Sequence, residues 1–375
     1  MMTGKDSSLS SKEALMGTKP GREILKQGLF KSAGYRLYSK YKDEYEAEFP
    51  AFRRRFAEGL LEQIKSDPDP AETQKIFARE VGSDIMALGS SEAEAAKARL
   101  GDPTVLKDRV DRITDSNFVK MTFPVFSALY DAAASIDGRD DPGLRRDLVE
   151  GHIIAIDLSE PMDRIMDRDE DIEYLDDYRL MNPYILNMAR AKIARGGKEV
   201  LRVFEEGFRE AREGQRLDVE LKSRPTGITG EEMEESYKKY RSVMGTAGRN
   251  MALDNSRLGE AFYTGMAGAA EGVGCGNEIE DSIRDAAVKV PSWPLYYALS
   301  SGSVRRGFEL AMERGRQYLR DARLGMGMLP EGFEYRDFLE FLFLSVEHYN
   351  EHWYGRLQKS GLWDKLEAGL PVAGP

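Results

Sequence analysis

Two of the three histidines in this chain, His348 and His352, stand one helical turn apart in EHYNEHWYGR (347–356), with Glu351 between them. In the pattern His-x-x-Glu-His, two imidazoles on one helix face can bind zinc while the carboxylate acts as base. That chemistry takes a third ligand well downstream, and little sequence follows. His152 or an upstream carboxylate would have to serve instead. The plainer reading is a polar helix face, because a helix sets any two residues at this spacing on one side.

A second constellation lies in GVGCGNEIEDSIRD (272–285). Asn277, Asp281 and Asp285 recur at i, i+4 and i+8, so three oxygen donors share one helix stripe. Hard oxygen ligands suit Mg²⁺, which takes a few carboxylates and completes its shell with water and substrate phosphate. The small residues just before them allow a neighbouring helix or a ligand to approach closely. Capping and helix-dipole roles account for Asn and acidic residues near a helix start equally well. A third stretch, IDLSEPMDRIMDRDEDIEYLDDYR (156–179), pairs Asp163 with Asp167 one turn on, with Asp157, Glu160 and Asp169 nearby. Such a cluster repels itself unless a cation, a basic partner or solvent neutralises it.

The elements that must position these groups are helices. FPAFRRRFAEGLLEQIKS, YILNMARAKIARGGKEVLRVFEEGFREAREG and SSGSVRRGFELAMERGRQYLRDARLG repeat apolar residues three and four apart and are rich in good helix formers. The best β-branched run, Ile153–Ile156, sits between acidic helical stretches and reads as buried helix. Thr229 with Glu232 three residues on forms a capping box that opens a new helix. The expectation is an all-α fold of roughly ten or more helices. It comprises a flexible segment over residues 1–20, a single helical domain over 21–370 and a disordered VAGP tail.

Composition bounds the partners. With 54 Lys plus Arg against 65 Asp plus Glu, the net charge is −11, which offers no basic footprint for nucleic acid. A single cysteine, Cys275, excludes an internal disulfide framework. The polar N-terminal stretch lacks the apolar centre of a signal peptide, and both features point to a reducing, cytoplasmic compartment. No apolar run approaches the roughly 18 residues that span a bilayer, so no stable membrane insertion is expected. A homodimer is compatible with such a fold, although no helix stripe singles itself out as its interface.

Taken in order, these residues resemble class I terpene synthases. Members of that family carry a helix with Tyr-x-x-x-Arg, then Asn-Asp-x-x-Ser-x-x-x-Lys-Glu, then a closing helix with Trp and Arg-Tyr. Here Tyr237 and Arg241 stand in YKKYRSVMG, Asn277 to Asp285 in NEIEDSIRD, and Trp353 and Arg356 in EHWYGR. The resemblance spans roughly residues 150–360 in helix order and 230–360 in motif. Glu278 stands where the family has Asp, Asp281 where it has Ser or Thr, Arg284 where it has Lys, Asp285 where it has Glu and Leu357 where it has the last Tyr. Arg241 lies closer to Asn277 than the family usually allows. The aspartate-rich first motif is represented by Asp163 and Asp167, with Asp157 and Glu160, or Asp137 with Asp140 and Asp141, as competing placements.

The resemblance implies an all-α helical bundle of the isoprenoid synthase type. Its implied activity is Mg²⁺-dependent ionisation of a prenyl diphosphate of farnesyl size, with cyclisation or quenching of the cation and release of diphosphate. It implies about three Mg²⁺ held by Asp163, Asp167, Asn277, Asp281 and Asp285, with Arg241, Arg284 and Arg356 clamping the diphosphate oxygens. Phe123, Phe126 and Tyr130, with Trp293 and Tyr296, are candidates for the aromatic wall that would stabilise the cation, and core packing is their alternative. The rivals are a zinc or non-haem metal enzyme on His348, Glu351 and His352, and a non-catalytic helical scaffold or binding protein.

Overall fold

Apolar residues at helical spacing become helices throughout the chain. The computed structural model describes residues 31–115, 117–166, 174–224 and 226–370. Among the described residues fifteen α-helices and three short 3₁₀ turns form, with no strand. Residues 1–30, Asp167 and the last five residues lie outside the described set, and with them the expected flexible ends.

Two compact units emerge, one of Ser39–Phe204 and one of the segment ending at Tyr38 together with everything from Glu205 onward. The central unit holds most of α1 (Ala33–Ser66), then α2 (Pro70–Val81), α3 (Ser90–Leu100), α4 (Pro103–Thr114), α5 (Asn117–Asp137), α6 (Pro142–Met166) and α7 (Leu175–Ile193). Its core follows the 3.6-residue period: Phe52, Phe56, Leu60 and Ile64 on α1 are all buried. Asp69 and Asp102 cap α2 and α4 through their side chains, each followed by Pro at the first helical position. Ile153, Ile154 and Ile156 are buried in α6, as expected of buried helix. Phe123, Phe126 and Tyr130 on α5 are core residues of this unit. Asp147 and Glu150 on α6 bind Lys192 at 3.2 and 2.8 Å and tie α6 to α7. His152 is fully buried against the rings of Phe126 and Phe204, and burial pushes its pKa down to about 3. Its imidazole is therefore neutral at physiological pH.

The C-terminal unit contains α8 from Glu205 on (helix Lys198–Lys222), α9 (Gly230–Ser236), α10 (Lys238–Met251), α11 (Ser256–Asp285), α12 (Trp293–Ser301), α13 (Val304–Gly325), α14 (Arg336–Lys359) and α15 (Trp363–Ala368). Thr229 accepts from the Glu232 N–H at 3.2 Å while its own N–H donates to the Glu232 carboxylate at 2.8 Å, the capping box read from the sequence. The 30-residue α11 is the axis of the unit, packed against α10, α13 and α14. Glycine makes this closeness feasible. A Cβ at Gly268 would stand 2.5 Å from the Tyr318 carbonyl oxygen of α13, and one at Gly276 would stand 2.2 Å from Asn350 Oδ1 of α14. Phe262, Ile279, Phe308, Phe338 and Phe343 fill the space between these helices, each contributing about 1.5–3 kcal/mol by its burial. No described helix is long and apolar enough to cross a membrane.

Candidate functional site

At 100° per residue, α11 turns one stripe of polar residues away from its buried face. Asn277 and Asp281 on that stripe are half-buried and Asp285 is exposed. Asp281 carries two cations: its Oδ1 lies 2.9 Å from Arg284 Nη2 and its Oδ2 lies 2.8 Å from Lys289 Nζ. Arg284 also reaches Asp285, with Nε 2.9 Å from Oδ1, and so bridges the two carboxylates of the stripe. Lys289 returns to this position because α11 ends at Ala286, which adopts a left-handed backbone (φ 49°) and reverses the chain. Burial works against the Lys289 charge, but Tyr240 and Asp281 outweigh it and hold the ammonium above its ordinary pKa.

Asn277 and Glu280 share one donor. The Tyr349 hydroxyl lies 2.7 Å from Asn277 Oδ1 and 2.6 Å from Glu280 Oε2, and its single proton serves one of them at a time. Burial raises the pKa of Glu280, and the Arg356 charge opposes that rise more weakly. Arg356 itself is exposed, with its guanidinium 4.9 Å from the centre of the Trp353 ring.

The other sequence candidates fall into different environments. Arg241 on α10 binds Glu271 on α11, Nε to Oε1 at 2.7 Å, and reaches Glu234 at 3.5 Å. Glu271 lies six residues before Asn277, or 240° around the helix, so Arg241 is committed to a different face of α11. Asp163 falls in α6, where only its helical backbone is described, and Asp167 lies outside the described residues. Of the competing placements, Asp137 faces Arg139 at 3.2 Å, and Asp141 caps α6 by accepting from the Leu144 N–H. His348 Nδ1 lies 3.3 Å from Glu351, and the His352 ring packs edge-on against Trp353. Among the described residues no three His, Cys, Asp or Glu side chains come together as a metal-binding group. The α11 stripe supplies two carboxylates and one amide oxygen, so a divalent ion there would complete its shell with water and phosphate.

The buried face of α11 holds a group that spacing alone did not single out. Glu278 is 4% exposed. It accepts from the Tyr237 hydroxyl at 2.6 Å and from the Trp293 backbone N–H at 3.1 Å. Burial dominates its titration and pushes the carboxyl up to about 8, so it is a neutral acid at physiological pH. Tyr237 also lies 3.8 Å from Cys275 Sγ, whose thiol burial raises well above its usual range. Around this trio pack Tyr240, Trp293 and Tyr318, with ring centres 5.3, 5.9 and 5.8 Å from that of Tyr237. Trp293 and Tyr296 are thus part of a packed aromatic cluster in this unit. The available signal for Glu278 was its place in the register of Glu271, Cys275 and Ser282, the buried side of α11.

No protein-family model, curated protein or solved structure matches this chain. The resemblance to class I terpene synthases therefore rests on the motifs themselves.

Proposed function

We propose that the chain ionises a prenyl diphosphate in a Mg²⁺-dependent reaction, with farnesyl diphosphate the first substrate to test. The observation that supports this reading is the stripe of Asn277, Asp281 and Asp285 on one unbroken helix, with Arg284 and Lys289 already on its carboxylates. An acidic protein holds a polyanion only through bridging cations, and the stripe brings hard oxygen donors and phosphate-binding cations to one place. Bound Mg²⁺ would neutralise the diphosphate as negative charge develops on it. Asp281 and Asp285 would hold the ion, Asn277 would add its amide oxygen, and Arg284 would donate to the departing oxygens. The allylic C–O bond breaks with its electron pair leaving on diphosphate. The cation then loses a proton to give a cyclic or acyclic alkene, or captures water to give an alcohol.

The test is incubation of the purified protein with geranyl, farnesyl and geranylgeranyl diphosphates, with and without Mg²⁺, followed by hexane extraction and gas chromatography with mass detection. A Mg²⁺-dependent hydrocarbon or alcohol that disappears in Asn277→Ala and Asp281→Ala is the expected result. Absence of product from all three substrates with folded protein overturns the proposal.

A further inference from the structure

We propose that Lys289, backed by Lys239 and Lys222, is a diphosphate-binding group that rests on Asp281 and passes to the anion when a divalent cation takes that carboxylate. The inference rests on the function proposed above and adds residues outside the motif that prompted it. Its basis is the charge balance of one patch. Asp281 is shared by Arg284 and Lys289. Asp218 on α8, 5% exposed, is shared by Lys239 at 2.9 Å and Lys222 at 3.4 Å and also feels the charge of Lys289. Four cations thus face three carboxylates, Asp218, Asp281 and Asp285, and the excess positive charge favours an added anion. Lys239 and Lys289 also repel one another, a strain that an anion between them would relieve.

The arrangement makes metal and anion binding interdependent. A divalent cation arriving alone must displace Lys289 and Arg284 from Asp281. An anion arriving alone must draw the same Lys289 away and leave Asp281 with less compensation. Each ligand removes the obstacle to the other, so the coupling is positive and reciprocal. A lysine used this way acts as a mobile point charge rather than a fixed fork, which suits transfer between two partners.

Isothermal titration with MgCl₂ alone, sodium diphosphate alone, and diphosphate in saturating Mg²⁺ tests this on wild type, Lys289→Met, Lys289→Arg and Asp281→Asn. Lys289→Met is expected to weaken diphosphate binding roughly tenfold or more, the factor carried by one charge-assisted hydrogen bond, while tightening binding of Mg²⁺ alone. Lys289→Arg keeps both affinities near wild type. Opposite changes in the two affinities cannot arise from a damaged fold, which would lower both. If wild type binds Mg²⁺ and diphosphate jointly, Asp281→Asn loses that binding and Lys289→Met leaves diphosphate affinity unchanged, the role of Lys289 is overturned and the proposed function stands. If diphosphate binding depends on Lys289 but Mg²⁺ has no influence in any protein, the anion site stands, while the handover and the Mg²⁺-dependent function fall. If wild type binds no diphosphate under either condition, both fall.

Discussion

Replacing Glu278 with Gln should make the C-terminal unit more stable at alkaline pH and leave it nearly unchanged at pH 5. In the unfolded chain the carboxyl titrates near 4.5, and in the folded unit burial pushes it up to about 8. Because the folded value is the higher one, the native state holds this proton more tightly than the unfolded state does. The stability that comes with protonation is complete below pH 4.5, declines as pH rises, and is gone above about 8. At roughly 1.4 kcal/mol per pH unit, the gap between the two values amounts to about 5 kcal/mol as an upper bound. Gln copies the protonated acid: its carbonyl accepts from the Trp293 N–H and its amide donates to the Tyr237 oxygen. The variant therefore lacks the decline, and by pH 9 it should exceed wild type by about 3–5 kcal/mol. Urea denaturation followed by tryptophan fluorescence reads the right unit, because all three tryptophans, Trp293, Trp353 and Trp363, lie in it. Titrations elsewhere are common to both proteins and cancel in the difference. Parallel stability curves from pH 5 to pH 9 would refute the assignment of Glu278 as a buried neutral acid.

Two further expectations concern the packing around α11. Arg241→Met leaves Glu271, 5% exposed, without its guanidinium. Because the arginine is itself partly solvated, the cost should be roughly 1–3 kcal/mol in a urea midpoint measurement, with most of it recovered in the double variant Arg241→Met, Glu271→Gln. Gly276→Ala places a Cβ 2.2 Å from Asn350 Oδ1 and 2.6 Å from the Tyr349 ring. The gain of about 1 kcal/mol in helix propensity is outweighed by overpacking of roughly 1–3 kcal/mol. A lowered melting temperature is expected, and an unchanged or raised one would show that α14 yields easily.

The helical parts of this molecule were legible where local physics decides them. Thr229 and Glu232 form their capping box from residues three apart, and Ile153–Ile156 stays helical because its neighbours supply the period despite β-branched side chains. The stripe of Asn277, Asp281 and Asp285 was legible for the same reason, since spacing alone fixes a shared helix face. Lys289 was not. It follows Asp281 at a spacing that continues the stripe only on an unbroken helix, whereas α11 stops at Ala286, a non-glycine residue in the left-handed region. Nothing local marks alanine for that conformation; the chain takes it because Val288, Pro291 and Trp293 are buried just beyond. The pairing of Arg241 was hidden likewise, because Glu271 approaches it from another helix.

The two faces of α11 keep carboxylates by different means, and this separates their responses. On the buried side Glu278 has no cation within reach of a hydrogen bond, only the Tyr237 hydroxyl and the Trp293 N–H, so a proton neutralises it. On the open side Asp281 is neutralised by Arg284 and Lys289, which can exchange for a metal ion because water is available to both. The two residues are three apart in sequence, yet proton activity should act chiefly through the first and divalent cations or diphosphate through the second. Mg²⁺ with diphosphate should therefore raise the stability of wild type and Glu278→Gln equally, since the ligands meet Asp281 and Lys289 in both proteins. Loss of that stabilisation in Glu278→Gln would mean that the faces are coupled through α11, and that the charge state of the buried acid helps to set the geometry of the stripe.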